Sequence, residues 1–291
     1  MLSEIYVAYA ATFVLAFSLY PVLARKELKR LDYREFVLLF TIFNALGAGV
    51  VAFMLGSGFA FTPASLALLA LLGLLNAFGF YATFYAYENE RVSIILPVLT
   101  SQYPLIALFD SAIFAPGSFL STLAVMPLLV IGILLVSRKK DLGKRRTPAL
   151  RFIAAAALAT VTWSVMWVSF KYYLNPAQPL GDYAALAAFS LLWAVVASAA
   201  FVIRTKKRTT FEGMERGSRY VLAPGLMNGI GTVFLSAALV MAPVETPIVA
   251  MVVTPLSIVL AMAFLKERVN GYELLGIMII IAAVVLSTGI L

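Results

Sequence analysis

The sequence predicts an all-α integral membrane protein with ten transmembrane helices arranged as two inverted five-helix repeats. Three observations carry that expectation. The 291 residues are 63% hydrophobic and 12% charged, where soluble chains have about 45–50% apolar and about 25% charged residues. The apolar residues fall into ten runs, each near the roughly 20 residues that a helix needs to cross a bilayer. The first five runs also share proline, serine and aromatic positions with the last five.

The runs are residues 5–24, 36–55, 64–87, 92–114, 119–137, 152–174, 183–203, 220–241, 246–265 and 272–291. The first follows only Met-Leu-Ser-Glu, with no basic stretch ahead of it, and reads as a retained helix. The second and third are uninterrupted apolar stretches holding one amide each near mid-depth, Asn44 and Asn76. The fourth carries Pro97 and Pro104 around the polar group Thr100, Ser101, Gln102 and Tyr103. Proline removes a helical hydrogen bond, and a membrane tolerates the freed backbone groups only beside protein or a wet cavity. The fifth ends at a basic connection, 138–151, and the sixth and seventh are aromatic and alanine-rich. The eighth has Gly225, Gly229 and Gly231 at a spacing suited to close helix packing. The ninth repeats the fourth in form, with Thr254 and Pro255 at its middle, and the tenth is apolar from Leu274 to Leu286.

Connections are short except after the fifth and seventh runs, so no soluble domain has room to fold. The expected organisation is a first repeat at 1–137, a basic cytoplasmic linker at 138–151 and a second repeat at 152–291. Of the 22 Lys and Arg residues, 21 fall on odd-numbered connections and Lys171 alone lies on the other side. The positive-inside rule then puts the basic loops in the cytoplasm and both termini outside, in a multi-pass protein of the cell membrane. It also accounts for the net charge of +8 without nucleic acid.

A shift of 151 residues lays Ala86 on Ala237 and Pro104 on Pro255, and a shift of 146 lays Phe17-Ser18 on Trp163-Ser164. Because each half holds an odd number of helices, the second half must be inverted relative to the first. Inverted repeats are a common transporter construction, with the site near the midplane between them.

The chain has no cysteine and no histidine. Disulfides, thiolate catalysis, histidine metal sites and a histidine relay are therefore excluded, and no metal or other cofactor is expected. An intramembrane enzyme would lack its usual nucleophile and base, so a non-enzymatic role is expected. Polar side chains recur at mid-depth instead, where unpaired amides are costly and must face protein or water. The candidate substrate-binding set is Gln102, Tyr103, Thr254, Trp163, Trp167, Asn76, Tyr81, Asn228 and Phe17. Aromatic walls with a few polar groups suit a small amphipathic solute; interhelical packing is the competing explanation for each residue. Asp110, Lys171, Glu245 and Glu88 are candidates for gating or coupling near the helix ends. Pro97, Pro104 and Pro255 are candidates for helix bending. No Asp, Glu, Lys or Arg sits clearly at mid-depth, which favours an uncharged or zwitterionic solute over a bare ion.

Five stretches together resemble the EamA family of the drug/metabolite transporter superfamily. In the first half they are FSLYPVLARKEL (17–28), the segment 79–109 and LLVIGILLV (128–136). In the second half they are WSVMWVSFKYYL (163–174) and the segment 234–289. The most specific piece is the proline-bearing ninth run followed by Leu265-Lys266-Glu267-Arg268 and then Gly276. The acidic turn at Glu267 has no counterpart after the fourth run, where Ala115-Pro116 stands. The resemblance implies ten helices in two repeats and a YddG-like exporter of a small organic metabolite, such as an amino acid, working by alternating access. A broad drug exporter or a flippase for lipid-linked substrates is the alternative it leaves open. The expected partners are a small-molecule substrate and the lipid bilayer, with the chain a monomer or a homodimer.

Overall fold

In the computed structural model, the chain is described over residues 4–28, 31–56, 58, 61–114, 119–137, 149–173, 180–205, 211–241, 245–250 and 252–287. Among the described residues there are twelve helices: α1 Glu4–Glu27, α2 Tyr33–Leu55, α3 Pro63–Asn89, α4 Val92–Thr100, α5 Gln102–Phe114, α6 Phe119–Ser137, α7 Ala149–Tyr173, α8 Leu180–Thr205, α9 Phe211–Met241, α10 Glu245–Ala250, α11 Val253–Leu265 and α12 Gly271–Ser287. Among the described residues there is no strand. Eight of the ten apolar runs form one helix each, and the fourth and ninth form pairs, α4–α5 and α10–α11. Seven helical stretches are long and apolar enough to cross a membrane, with α4 and α5 taken together, and α6, α11 and α12 hold shorter apolar helices.

Helix ends follow local chemistry. Asp32 caps α2 by accepting from Arg34 N at 2.8 Å. Thr62 and Ser65 form a reciprocal capping box at the start of α3, with Pro63 in the first turn, where its missing N–H costs nothing. Asn270 and Glu273 make the same reciprocal pair at α12, both bonds 2.9 Å. Helices α3 and α9 extend past their apolar runs, α3 to Asn89 and α9 back to Phe211. Backbone hydrogen bonding sets a helix's length, and hydropathy sets only the part that lipid can cover.

The two broken helices share one cause. Pro104 is the third residue of α5 and Pro255 the third of α11. A proline there gives up the bond to the carbonyl four residues back and its ring collides with it, so the helix stops ahead of it and restarts. Pro97 lies inside α4, and Pro21, Pro127 and Pro224 inside α1, α6 and α9, without ending them. Hydroxyls bond carbonyls on both sides of the first joint. Thr100 Oγ1 donates to Pro97 O at 2.9 Å, Thr160 Oγ1 of α7 to Val98 O at 3.0 Å, and Ser164 Oγ of α7 to Gln102 O at 3.1 Å. Thr160 and Ser164 stand one turn apart, so one face of α7 braces the joint.

Helix α2 packs on α8 and α9, α3 on α7 and α8, and α1 on α9 and α11, while α7 also meets α4 and α5. Helix α6 pairs with α12, and α4 with α11. The close seams use glycine, as the spacing in the eighth run predicts. A side chain at Gly225 would stand 2.6 Å from Phe43 Cβ, and one at Gly47 would stand 2.7 Å from Leu226 O. Phe36, Phe40, Phe84 and Tyr87 are fully buried in the centre of the first-half helices. Large apolar side chains such as Phe53, Met54, Leu120, Ile203 and Phe264 are exposed around the outside, the face a bilayer covers.

Candidate functional site

A cavity of about 70 Å³ lies where the joint in α4–α5 meets α1, α3, α7, α9 and the start of α11. Helical spacing assembles its walls. Asn76 and Phe80 are one turn apart on α3, Trp163 and Trp167 one turn apart on α7, and Asn228 and Thr232 one turn apart on α9. Phe17 and Tyr20 come from α1, and Gln102 and Tyr103 from the first turn of α5. Among the described residues, none that lines it is charged. Phe80 meets Trp163 edge-on, with ring centroids 5.7 Å apart and planes at 70°, and Phe17 meets Tyr20 at 5.8 Å. The side-chain oxygen of Gln102 and Nε1 of Trp163 are buried without a hydrogen-bond partner. They are two of the eleven buried side-chain atoms without a partner among the described residues, and the two that belong to the cavity wall.

Seven of the nine candidate substrate-binding residues therefore line one cavity: Phe17, Asn76, Gln102, Tyr103, Trp163, Trp167 and Asn228. Thr254 stands just behind it. Its hydroxyl donates to Thr100 Oγ1 at 3.0 Å, and Thr100 lines the cavity, so the two joints touch through this bond. Tyr81 points elsewhere. Its hydroxyl donates to Ser198 O at 3.2 Å, and its ring packs on Phe201 and Tyr33 in the α3–α8 seam. Tyr20, Phe80, Met166, Thr232 and Val253, with the aliphatic Leu96, Leu99 and Leu235, complete the lining. Tyr20, Phe80 and Met166 were not among the candidates, although each follows a candidate by one helical turn.

Of the gating candidates, Glu88 lies in the last turn of α3 and its carbonyl accepts from Arg25 Nη1 at 2.8 Å. Asp110 is half-buried in α5. The side chains of Lys171 and Glu245 lie outside those described. A different set ties the two halves together at the end carrying the basic connections. Helix α11 ends on Lys266 in the left-handed conformation, φ 55°, and the turn brings Glu267 beneath α4. The Glu267 carboxylate accepts from Val92 N and Ser93 N, both at 3.0 Å. An acid at a helix N-terminus satisfies two orphan donors and complements the helix dipole. Beside it, Arg91 pairs with Glu273 and donates to Arg268 O. Glu273 is 2% exposed and thus both caps α12 and holds Arg91. No spacing within the sequence joins residues 91 and 273; only the fold does.

Apolar helices enclosing an uncharged, aromatic and amide-lined cavity between two broken helices define a multi-pass membrane protein with a transporter-like core. Residues 150–289 match the model of the EamA-like transporter family. Over those residues, just under half of the chain, it is similar to this family, part of the drug/metabolite transporter superfamily. No curated protein matches the chain. Among solved structures, one described only as "Crystal structure of protein" is similar over 98% of this chain and 96% of that one, with 18% identity and a TM-score of 0.54. It shares the fold.

Proposed function

We propose that the chain is a secondary transporter that moves a small uncharged or zwitterionic organic metabolite by alternating access about this cavity. The observation that carries the proposal is the meeting of two proline-broken helices, through Thr100 and Thr254, beside a cavity walled by aromatic rings and amides. Ten crossings in two inverted repeats, 1–137 and 152–291, are supported by the packing. Exchanging the first five apolar runs with the last five turns the α1–α9 contact into α7–α3, α2–α9 into α8–α3, and α1–α11 into α7–α5, and all of these occur. Inverted repeats give two equivalent ways of packing the halves, each opening the site to one side.

The residues have distinct parts. Asn76, Gln102 and Asn228 supply hydrogen bonds to the solute's polar end, and Phe17, Tyr103, Trp163 and Trp167 cover its apolar body. Solute pockets usually measure about 300–1,000 Å³. At about 70 Å³ this conformation is contracted, and admitting a solute requires the halves to separate. The Glu267, Arg91 and Glu273 contacts close the basic, cytoplasmic end and must break when the site opens there. With both termini outside and 138–151 a cytoplasmic linker, the transporter sits in the cell membrane as a monomer or homodimer. Export is the direction implied by the resemblance to YddG-like members of the family.

A solute that binds the folded state raises its stability, by about 2.7 kcal/mol at 100 times its Kd. A thermal-shift screen of metabolites on the purified protein should find solutes that raise Tm for the native chain and not for Gln102→Ala. If neutral and zwitterionic solutes of every size leave Tm unchanged, the proposed site is wrong.

A further inference from the structure

Two glycines face the cavity's aromatic walls in matching places. Gly79 stands three residues after Asn76 on α3, and Gly231 three residues after Asn228 on α9. Each lies under an aromatic residue from a helix of the other half. A Cβ at Gly79 would stand 2.5 Å from Trp163 Nε1 and 3.0 Å from its Cδ1. A Cβ at Gly231 would stand 3.2 Å from Phe17 Cε1. Trp163 and Phe17 are themselves equivalent under the 146-residue shift. The same arrangement therefore occurs twice, an asparagine in the wall and, three residues on, a glycine on which the opposing ring rests.

We propose that Gly79 and Gly231 are positioning residues of the solute site, each the seat of an aromatic wall residue, and that the seats set how large a solute is admitted. The proposal rests on the transporter reading. The rings border a cavity of about 70 Å³, so a small displacement of either takes up much of the free space. At Gly79 the three nearest atoms from other helices all belong to the indole, so a methyl group would act by moving Trp163. At Gly231 the limiting neighbours are Ala16 Cβ at 3.0 Å and the Phe17 ring, a looser seat. The larger ring thus lies on the tighter seat, and Gly79 is the more sensitive of the two.

The test has an optical arm and a transport arm. With Trp167→Phe and Trp193→Phe, Trp163 is the sole tryptophan, and acrylamide quenching reads its environment without any solute. Gly79→Ala should change the quenching constant by about twofold or more, whereas Gly49→Ala, with nothing within 4 Å of the added carbon, should leave it unchanged. In liposomes, labelled neutral amino acids from glycine to phenylalanine serve as the size series. Gly79→Ala should raise KM about tenfold for the largest accepted member and far less for the smallest, the scale of one overpacked contact. Adding Trp163→Phe should cancel most of that rise, because a phenyl ring on a glycine seat stands farther off, as Phe17 does. If Gly79→Ala does not fold, Gly231→Ala with Phe17→Leu carries the same cycle. Unchanged quenching, or a Gly79→Ala cost equal for Trp163 and Phe at that position, overturns the proposal. If the native protein moves no amino acid while Gly79→Ala still alters quenching, the transport reading for this solute class fails and the seat stands.

Discussion

Removing the Glu267 carboxylate should open the basic end of the protein. It accepts two backbone N–H bonds from the first turn of α4, and hydrogen bonds to a charged group contribute about 1.5–3 kcal/mol each. Glu267 is half-exposed, so the lower figure applies and the pair amounts to about 3 kcal/mol. Losing it in Glu267→Ala favours any state in which this end is parted by roughly 100-fold. Glu267→Gln keeps one good acceptor oxygen and gives up the charge, which costs about 1.5 kcal/mol and corresponds to roughly tenfold. The chain contains no cysteine, so Ser93→Cys introduces a unique thiol directly behind the contact. Ser93 is 1% exposed and its hydroxyl has no partner. Glu267 binds its backbone, so this substitution leaves the contact intact. Labelling by a membrane-impermeant maleimide, applied to the basic side, follows the open population. Rates should rise about tenfold in Glu267→Gln and about 100-fold in Glu267→Ala. Equal rates in all three proteins would show that Glu267 does not hold this end closed.

Thr254→Val removes the bond between the two joints, and should cost about 1 kcal/mol of stability while changing kcat more than KM in flux measurements. Glu273→Ala removes both the α12 cap and the partner of Arg91, and should lower stability by about 2 kcal/mol in denaturation assays, more than Asn270→Ala, which removes the cap alone. Lys266→Gly relieves a side chain held at φ 55° and should raise Tm by about 1–3 °C, provided Glu267 keeps its place. For orientation, a cysteine at Ser3 should react with an impermeant reagent from outside intact cells and one at Lys144 should not; the reverse pattern would invert the topology.

The helices were legible because hydropathy in a membrane protein marks each crossing directly, and proline marked the two breaks. Its position within the helix decided the outcome: Pro104 and Pro255 stop a helix, whereas Pro97 is absorbed by α4. The cavity was legible in kind, since amides and aromatics at mid-depth need a common polar space, and seven of nine candidates share one. Tyr81 and Thr254 show the limit. Tyr81 differs from the lining residue Phe80 by one position, which turns it about 100° around α3 into the α8 seam. Thr254 has the right depth but spends its hydroxyl on Thr100. The basic-end contacts of Arg91 with Glu273 and of Glu267 with α4 were not legible as a unit, because residues some 175–182 positions apart come together only after the halves have packed. Nothing in the sequence singles out Gly79; its relation to Trp163 appears only when α3 and α7 are set side by side.

The central claim is that solute crosses the membrane through the cavity between the broken helices. Purified protein in liposomes, screened against labelled metabolites with and without a pH gradient, tests it most directly. Uptake of at least one neutral or zwitterionic solute, strongly reduced in Gln102→Ala and unchanged in Thr12→Ala on the exposed face of α1, is the predicted result. Folded protein that moves no solute under any gradient, or flux indifferent to Gln102, would contradict it.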